Sequence, residues 1–115
     1  MQQDVIELRA YVTADGRCPF DLWLESFRSA TTRTRIDARL ARVRTGHFGD
    51  TKAVGGGVAE LRLCFGPGHR IYFGRDGDRL VILLAGGDKR WQSADIARAQ
   101  RYWQAYLKEK SHAHD

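Results

Sequence analysis

Arg62, Arg70, Tyr72 and Lys89 are the side chains of this sequence best suited to chemistry on an anion. Arg62 lies in a strand-like run at residues 58–65, and Arg70 and Tyr72 lie in a second run at 69–75. Gly66-Pro67-Gly68 separates the two. If Phe65 faces His69 across that turn, Leu63 faces Ile71 and Leu61 faces Phe73, which collects one apolar face. The other face then sets Glu60, Arg62 and Cys64 against Gly74, Tyr72 and Arg70, with opposed Cβ atoms about 4.5–5.5 Å apart. Guanidinium groups present paired planar donors matched to phosphate oxygens, and they stabilise negative charge as it grows. Tyr72 beside them is a candidate to donate a hydrogen bond, stack on a base or move a proton. Lys89, in the loop just after the last strand, can reach the same face. Lys52, in the loop before the strand of Arg62, can reach its rim. The competing account is structural: Glu60 between two arginines makes an Arg–Glu–Arg network on a solvated sheet, with no ligand.

Other candidates carry less. His69 falls on the apolar face at a strand end, which suits an edge residue better than a catalytic base. His47 suits a cap or a loop, and His112 and His114 belong to a tail expected to be mobile. Cys64 is expected to be a small buried filler. Trp91 either stacks on a nucleobase or packs under the last helix. Gly55-Gly56-Gly57 does not follow a strand and open a helix, so it is no dinucleotide loop.

The elements that must position these residues are legible in outline. Ile6, Leu8, Ala10 and Val12 alternate with Glu7, Arg9 and Tyr11, the period of a half-buried strand, and Asp15-Gly16 breaks it. Pro19 opens a helix whose stripe is Phe20, Trp23, Leu24 and Phe27. A second helix, capped by Thr31 or Thr32 and closed by Gly46, carries Ile36, Leu40 and Val43 on one line. Arg33, Arg35, Arg39, Arg42 and Arg44 share the rest of its circumference, either as a solvated face or as a surface for RNA or an acidic partner. Residues 47–57 read as loop. Asp76-Gly77 turns a hairpin into the continuous apolar run 80–85, expected to be covered on both faces. A last helix runs from an N-cap at Ser93 to about Leu107, with Ile96, Ala99, Trp103 and Tyr106 on one side. The expected order is β-α-α-β-β-β-α: an α+β domain over residues 1–108, with an antiparallel meander, a helical hairpin on one face and a C-terminal helix. Residues 109–115 are expected to form a disordered tail.

Composition bounds the function. The chain has 115 residues, one domain's worth, with 43% hydrophobic and 29% charged residues. No apolar run is long enough for a membrane span, and the start lacks the basic and apolar stretches of a signal peptide. Two cysteines at no metal spacing suit a reducing cytoplasm. Lys+Arg number 19 against 14 Asp+Glu, a net charge of +5 that is chiefly arginine. That balance points to a polyanionic or acidic partner, or to a biased genome.

Several segments, taken together, carry a resemblance. Gly46-His47-Phe48-Gly49-Asp50-Thr51-Lys52 leads into Gly57-Val58-Ala59-Glu60-Leu61-Arg62, followed by Gly66-Pro67-Gly68-His69-Arg70-Ile71-Tyr72-Phe73. Leu83-Leu84-Ala85-Gly86-Gly87-Asp88-Lys89 and Asp95-Ile96-Ala97-Arg98-Ala99 come after. From about Ile6 to Trp103 the chain resembles the RelE/ParE superfamily of toxins of type II toxin–antitoxin systems. It looks most like the HigB-like branch, also called phage-derived or addiction-module killer proteins. The resemblance implies a cytoplasmic, ribosome-dependent endoribonuclease that needs no metal or other cofactor. In that chemistry the ribose 2′-hydroxyl of messenger RNA attacks the adjacent phosphate and leaves a cyclic phosphate. Matched position by position, Arg62, Arg70 and Lys89 fall on basic positions of this branch, Tyr72 on its strand motif and Lys52 in its loop motif. From these we infer Arg62, Arg70, Lys89 and Tyr72 as the expected catalytic residues, and Lys52, Arg90 and Trp91 as the expected RNA contacts. The implied partners are the ribosome, messenger RNA and a cognate helix-turn-helix antitoxin. His69 stands where this branch usually has tyrosine, and Arg90-Trp91 replaces a small polar pair. The alternatives are a non-enzymatic ParE-type inhibitor of DNA gyrase and an inactive relative that only binds its antitoxin.

Overall fold

The computed structural model describes residues 5–113. The chain runs through strand β1 (Glu7–Ala10), helices α1 (Pro19–Glu25) and α2 (Ala30–Arg44), and strands β2 (Thr51–Gly55), β3 (Val58–Arg62), β4 (Arg70–Arg75) and β5 (Leu80–Gly87). A 3-10 turn (Lys89–Trp91) then enters helix α3 (Gln92–Ala113). It is an α+β fold. The five strands form one mixed sheet in the order β1-β5-β4-β3-β2, antiparallel except that β1 lies parallel to β5.

Both faces of the sheet are covered. Leu61, Leu63, Ile71, Phe73, Val81 and Leu83 pack with Phe20 of α1 and with Ile36, Leu40 and Val43 of α2. On the opposite face Tyr72, Ile82, Leu84 and Val58 pack with Ala99 and Trp103 of α3. The continuous apolar run of β5 is the sequence mark of this arrangement, since alternate residues must enter different cores. The face away from the early helices, expected to be solvated, is therefore dry over most of its area.

Local chemistry explains most element boundaries. Pro19 sits in the first turn of α1, where its missing N–H is no loss. The cap of α2 is Ser29 rather than Thr31 or Thr32; its side chain accepts from the Thr32 N–H at 3.3 Å. Gly46 ends that helix with φ +90°. Residues 51–55 are a strand, not a loop. Gly55, Gly56 and Gly57 all take positive φ and turn β2 back along β3. Helix α3 starts one residue before the expected cap at Ser93. It continues from the 3-10 turn, whose cap is Asp88, accepting from the Arg90 N–H at 2.9 Å. It also continues past Leu107 through Ala113 rather than fraying at Lys108. Tyr106 and Lys110 both hold Asp76 of the β4–β5 turn, each at 2.5 Å. The N-terminal residues 1–4 and His114 and Asp115, for which expectations were stated, lie outside the described residues.

Candidate functional site

The register of β3 on β4 decides what converges. Arg62 pairs with Arg70, Glu60 with Tyr72 and Leu61 with Ile71. This is two residues away from the expected register. The strands end at Arg62 and begin again at Arg70, so residues 63–69 form a wide connection instead of a three-residue turn. A slip of two keeps every side chain on its expected face. The expected set of Glu60, Arg62, Arg70 and Tyr72 is therefore gathered, more tightly than expected.

Glu60 is the hub. Its side chain is fully buried, in ion-pair contact with Arg70 Nε and 3.8 Å from Arg62 Nε. Gln92, at the start of α3, donates to its Oε1 at 2.9 Å. An Arg–Glu–Arg network is thus present, but the carboxylate at its centre is buried rather than solvated. The two arginines differ in access: the Arg62 side chain is 40% exposed and that of Arg70 only 12%. Arg70 is further fixed by donating from Nη1 to the Gly68 carbonyl at 2.7 Å. A Cβ at Gly68 would lie 3.1 Å from the Lys89 Cβ and 3.2 Å from Arg70 Nη1, so Lys89 and Arg70 meet over that glycine. Lys89 is exposed. Lys52 pairs with Glu60 across β2 and β3, so it stands on the same face at the sheet's rim, and it too is exposed.

Tyr72 is placed differently from its expected role. It has no exposed surface, lies under α3, and its hydroxyl has no hydrogen-bond partner. Burial, reinforced by the Glu60 charge, pushes its phenol up to about 12. A hydroxyl so placed neither touches a substrate nor gives up a proton near neutrality. Cys64 departs as well: it is exposed rather than buried. His69 takes the apolar position expected of it, 9% exposed, edge-on to the rings of Trp23, Phe27 and Phe65. Its Nδ1 has no partner, and burial lowers its pKa. His47 keeps a loop role, 3.0 Å from the Thr45 hydroxyl. Some of the α2 arginines do structural work: Arg33 donates to the Phe27 carbonyl, Arg39 to the Phe48 carbonyl, and Arg35 lies 5.3 Å from the centre of the Phe65 ring.

An open cleft of about 480 Å³ that the sequence reading did not assemble lies beside this cluster, at the carboxyl end of β5. Trp23 and His69 form one side; Trp91, Asp95 and Arg98 form the other. Gly86 and Gly87 make the floor possible, because a Cβ at either would collide with Trp23 or with the Asp95 carboxylate. Asp95 is 6% exposed and paired with Arg98 at 2.8 Å, and burial raises its pKa against the pull of that arginine. Asp88 is held below the usual carboxylate range, first by its side-chain hydrogen bond with Arg90. Trp91 is 63% exposed, which favours its role as a free aromatic surface over core packing. Arg90 is exposed beside it. The Gly-Gly pair before Asp88 was the available signal for the cleft. Among the described residues no group of three or more His, Cys, Asp and Glu side chains could hold a metal ion. Nor is any described helix long and apolar enough to cross a membrane.

No family model matches the chain. A protein of Haemophilus influenzae, described only as uncharacterized, is 43% identical over 81 residues, which span 70% of this chain and 82% of that protein. At that identity and coverage, the chain belongs to the same family as the Haemophilus influenzae protein.

Proposed function

We propose that the chain is a RelE/ParE-type toxin of the HigB-like branch that cleaves messenger RNA on the ribosome and so stops translation. The observation that carries this reading is the set of cations at one end of the sheet. Solvent-facing Arg62 and Lys89 flank Arg70, which a buried carboxylate holds in place. The order of elements, two helices against one face of the sheet and the last helix against the other, suits the RelE arrangement.

In the proposed reaction the 2′-oxygen of one nucleotide forms a bond to the adjacent phosphorus as the bond to the 5′-oxygen breaks. The 2′-hydroxyl loses its proton and the departing 5′-oxygen gains one. The products are a 2′,3′-cyclic phosphate and a 5′-hydroxyl. Arg62 and Lys89 offset the charge that grows on the phosphate. Arg70, tied to Glu60 and Gly68, is a positioning residue that acts through the carboxylate it shares with Arg62. Lys52 and Arg90 hold the flanking backbone. Tyr72 supports the sheet beneath them. A helix-turn-helix antitoxin is the expected partner and the cytoplasm the expected location.

The test is cleavage of messenger RNA on stalled ribosomes by the wild-type chain and by Arg62→Ala and Lys89→Ala. Cleavage by the wild type, strongly reduced in both variants, supports the reading. Intact messenger RNA with accumulating DNA double-strand breaks after induction replaces it with gyrase inhibition.

A further inference from the structure

We propose that the cleft at the carboxyl end of β5 is a guanine-base pocket. Its volume, about 480 Å³, lies within the range of about 300–1,000 Å³ typical of small-molecule sites. Its walls suit a flat ring. Trp23 and Trp91 both line it, and the face of Trp91 is open to solvent. The bare backbone of Gly86 and Gly87 lets Trp23 and Asp95 close in on the strand from either side.

The polar groups select the ring. Asp95 is a buried carboxylate, an acceptor alone when ionised, and only Arg98 answers it. Three polar groups at the cleft are buried and incompletely used: His69 Nδ1 and Arg98 Nε lack hydrogen-bond partners, and the Asp95 carboxylate makes a single ion pair. His69 itself is more than nine-tenths buried. The Asp95–Arg98 pair cancels its own charge, so neither an ammonium nor a free anion is favoured at that wall. A neutral ring with adjacent N–H donors beside a carbonyl fits it. Guanine presents N1–H and N2–H side by side, with O6 next to them. Adenine and cytosine would turn a ring-nitrogen lone pair toward the carboxylate, and uracil flanks its single N–H with two carbonyls. RNA-binding proteins read unstacked bases by this combination of aromatic stacking and edge hydrogen bonds.

The pocket adjoins the proposed cleavage site. His69 precedes Arg70, and Gly87 is the register partner of Arg70 on β5. A guanine seated in the cleft would bring its own phosphate toward Arg70, Arg62 and Lys89. The choice of RNA as the natural ligand rests on the proposed function; the pocket's preference for guanine does not.

The experiment titrates GMP, AMP, CMP, UMP and inorganic phosphate into the full chain and follows the tryptophan indole N–H signals by NMR. GMP is expected to shift Trp23 and Trp91 and to bind at least about fivefold tighter than AMP, the discrimination available to a paired base-edge contact. Trp91→Ala, at an exposed position that leaves the fold intact, is expected to weaken GMP by about tenfold through lost stacking. Asp95→Asn is expected to erase the preference over AMP. Equal binding of GMP and AMP by the wild type would overturn the pocket. So would shifts that phosphate alone reproduces, or indole signals that none of the nucleotides moves. A chain that prefers GMP but leaves ribosome-bound messenger RNA intact keeps the pocket and removes the cleavage reading. One that cleaves RNA yet binds GMP and AMP alike does the reverse.

Discussion

Arg62 and Arg70 stand directly opposite each other on neighbouring strands, one reaching solvent and the other held beneath it by a carboxylate they share. Like charges so placed repel, and Glu60 offsets the repulsion from a fully buried position. The pair therefore has divided roles. Arg62→Ala should leave the melting temperature nearly unchanged and reduce RNA cleavage on the order of 10²–10³-fold, the usual loss for one transition-state donor. Arg70→Ala should lower both cleavage and thermal stability. Cleavage kinetics and melting curves on the two purified variants check this together, and equal stability losses in both would refute the division.

Glu60→Gln isolates the other side of the same network. The amide has the shape of the carboxylate but no charge, so Arg70, almost enclosed, loses its counter-ion. Breaking a buried pair by removing one partner costs about 3–5 kcal/mol. The 40% exposure of Arg62 places the expected loss at the lower end, about 3 kcal/mol. Urea denaturation followed by tryptophan fluorescence measures it. A change under about 1 kcal/mol would mean that water or relaxation replaces the carboxylate.

The faces of the sheet were legible in the sequence, and the reason is parity. Leu61, Leu63, Ile71 and Phe73 can share one core only if Glu60, Arg62, Arg70 and Tyr72 share the other side, whatever the register. The register itself was hidden in the connection. Gly66 and Gly68 suggested a tight turn, whereas the chain leaves the ladder at Arg62 and rejoins it at Arg70. Strand β2 gave no signal because it is an edge strand whose side chains are mostly exposed, so nothing apolar alternates along it. The burial of Tyr72 was foreshadowed by β5. A strand apolar on both sides requires a second layer, and the stripe Ile96, Ala99, Trp103 is what supplies it. The cleft escaped notice because its residues come from α1 and the segment after it, the β3–β4 connection, β5, the 3-10 turn and α3, with no local spacing to join them.

His69 should make stability depend on pH. Its folded pKa lies below the ordinary value of about 6.5, so the unfolded chain binds more protons in the interval between the two. Stability is then complete above about pH 6.5 and falls as pH drops from there toward the folded pKa. Asp95 works in the opposite sense at lower pH: its raised pKa means that protonation favours the folded chain. Melting temperatures at pH 7.5 and pH 5.5 should differ more in the wild type than in His69→Gln. Identical differences in the two would show that burial of His69 carries no proton linkage.

At Gly74 the sheet lies in close contact with Trp103 of α3. It is buried in β4, and a Cβ there would fall within the indole ring of Trp103, itself 6% exposed in the core beneath α3. The indole cannot yield easily, because Tyr106 stacks on it with ring centres 5.3 Å apart and is itself tied to Asp76 at 2.5 Å. Gly74→Ala must therefore move the helix or force a strained rotamer, at a cost of about 1–3 kcal/mol. The displacement acts on the same helix whose first turn brings Gln92 to Glu60, so RNA cleavage should fall along with stability. Gly77→Ala is the control. Its Cβ would meet open space, and its positive φ of +75° charges only the local backbone cost of the turn. Urea denaturation of the two variants should show the larger loss for Gly74→Ala, and only that variant should change the fluorescence of Trp103.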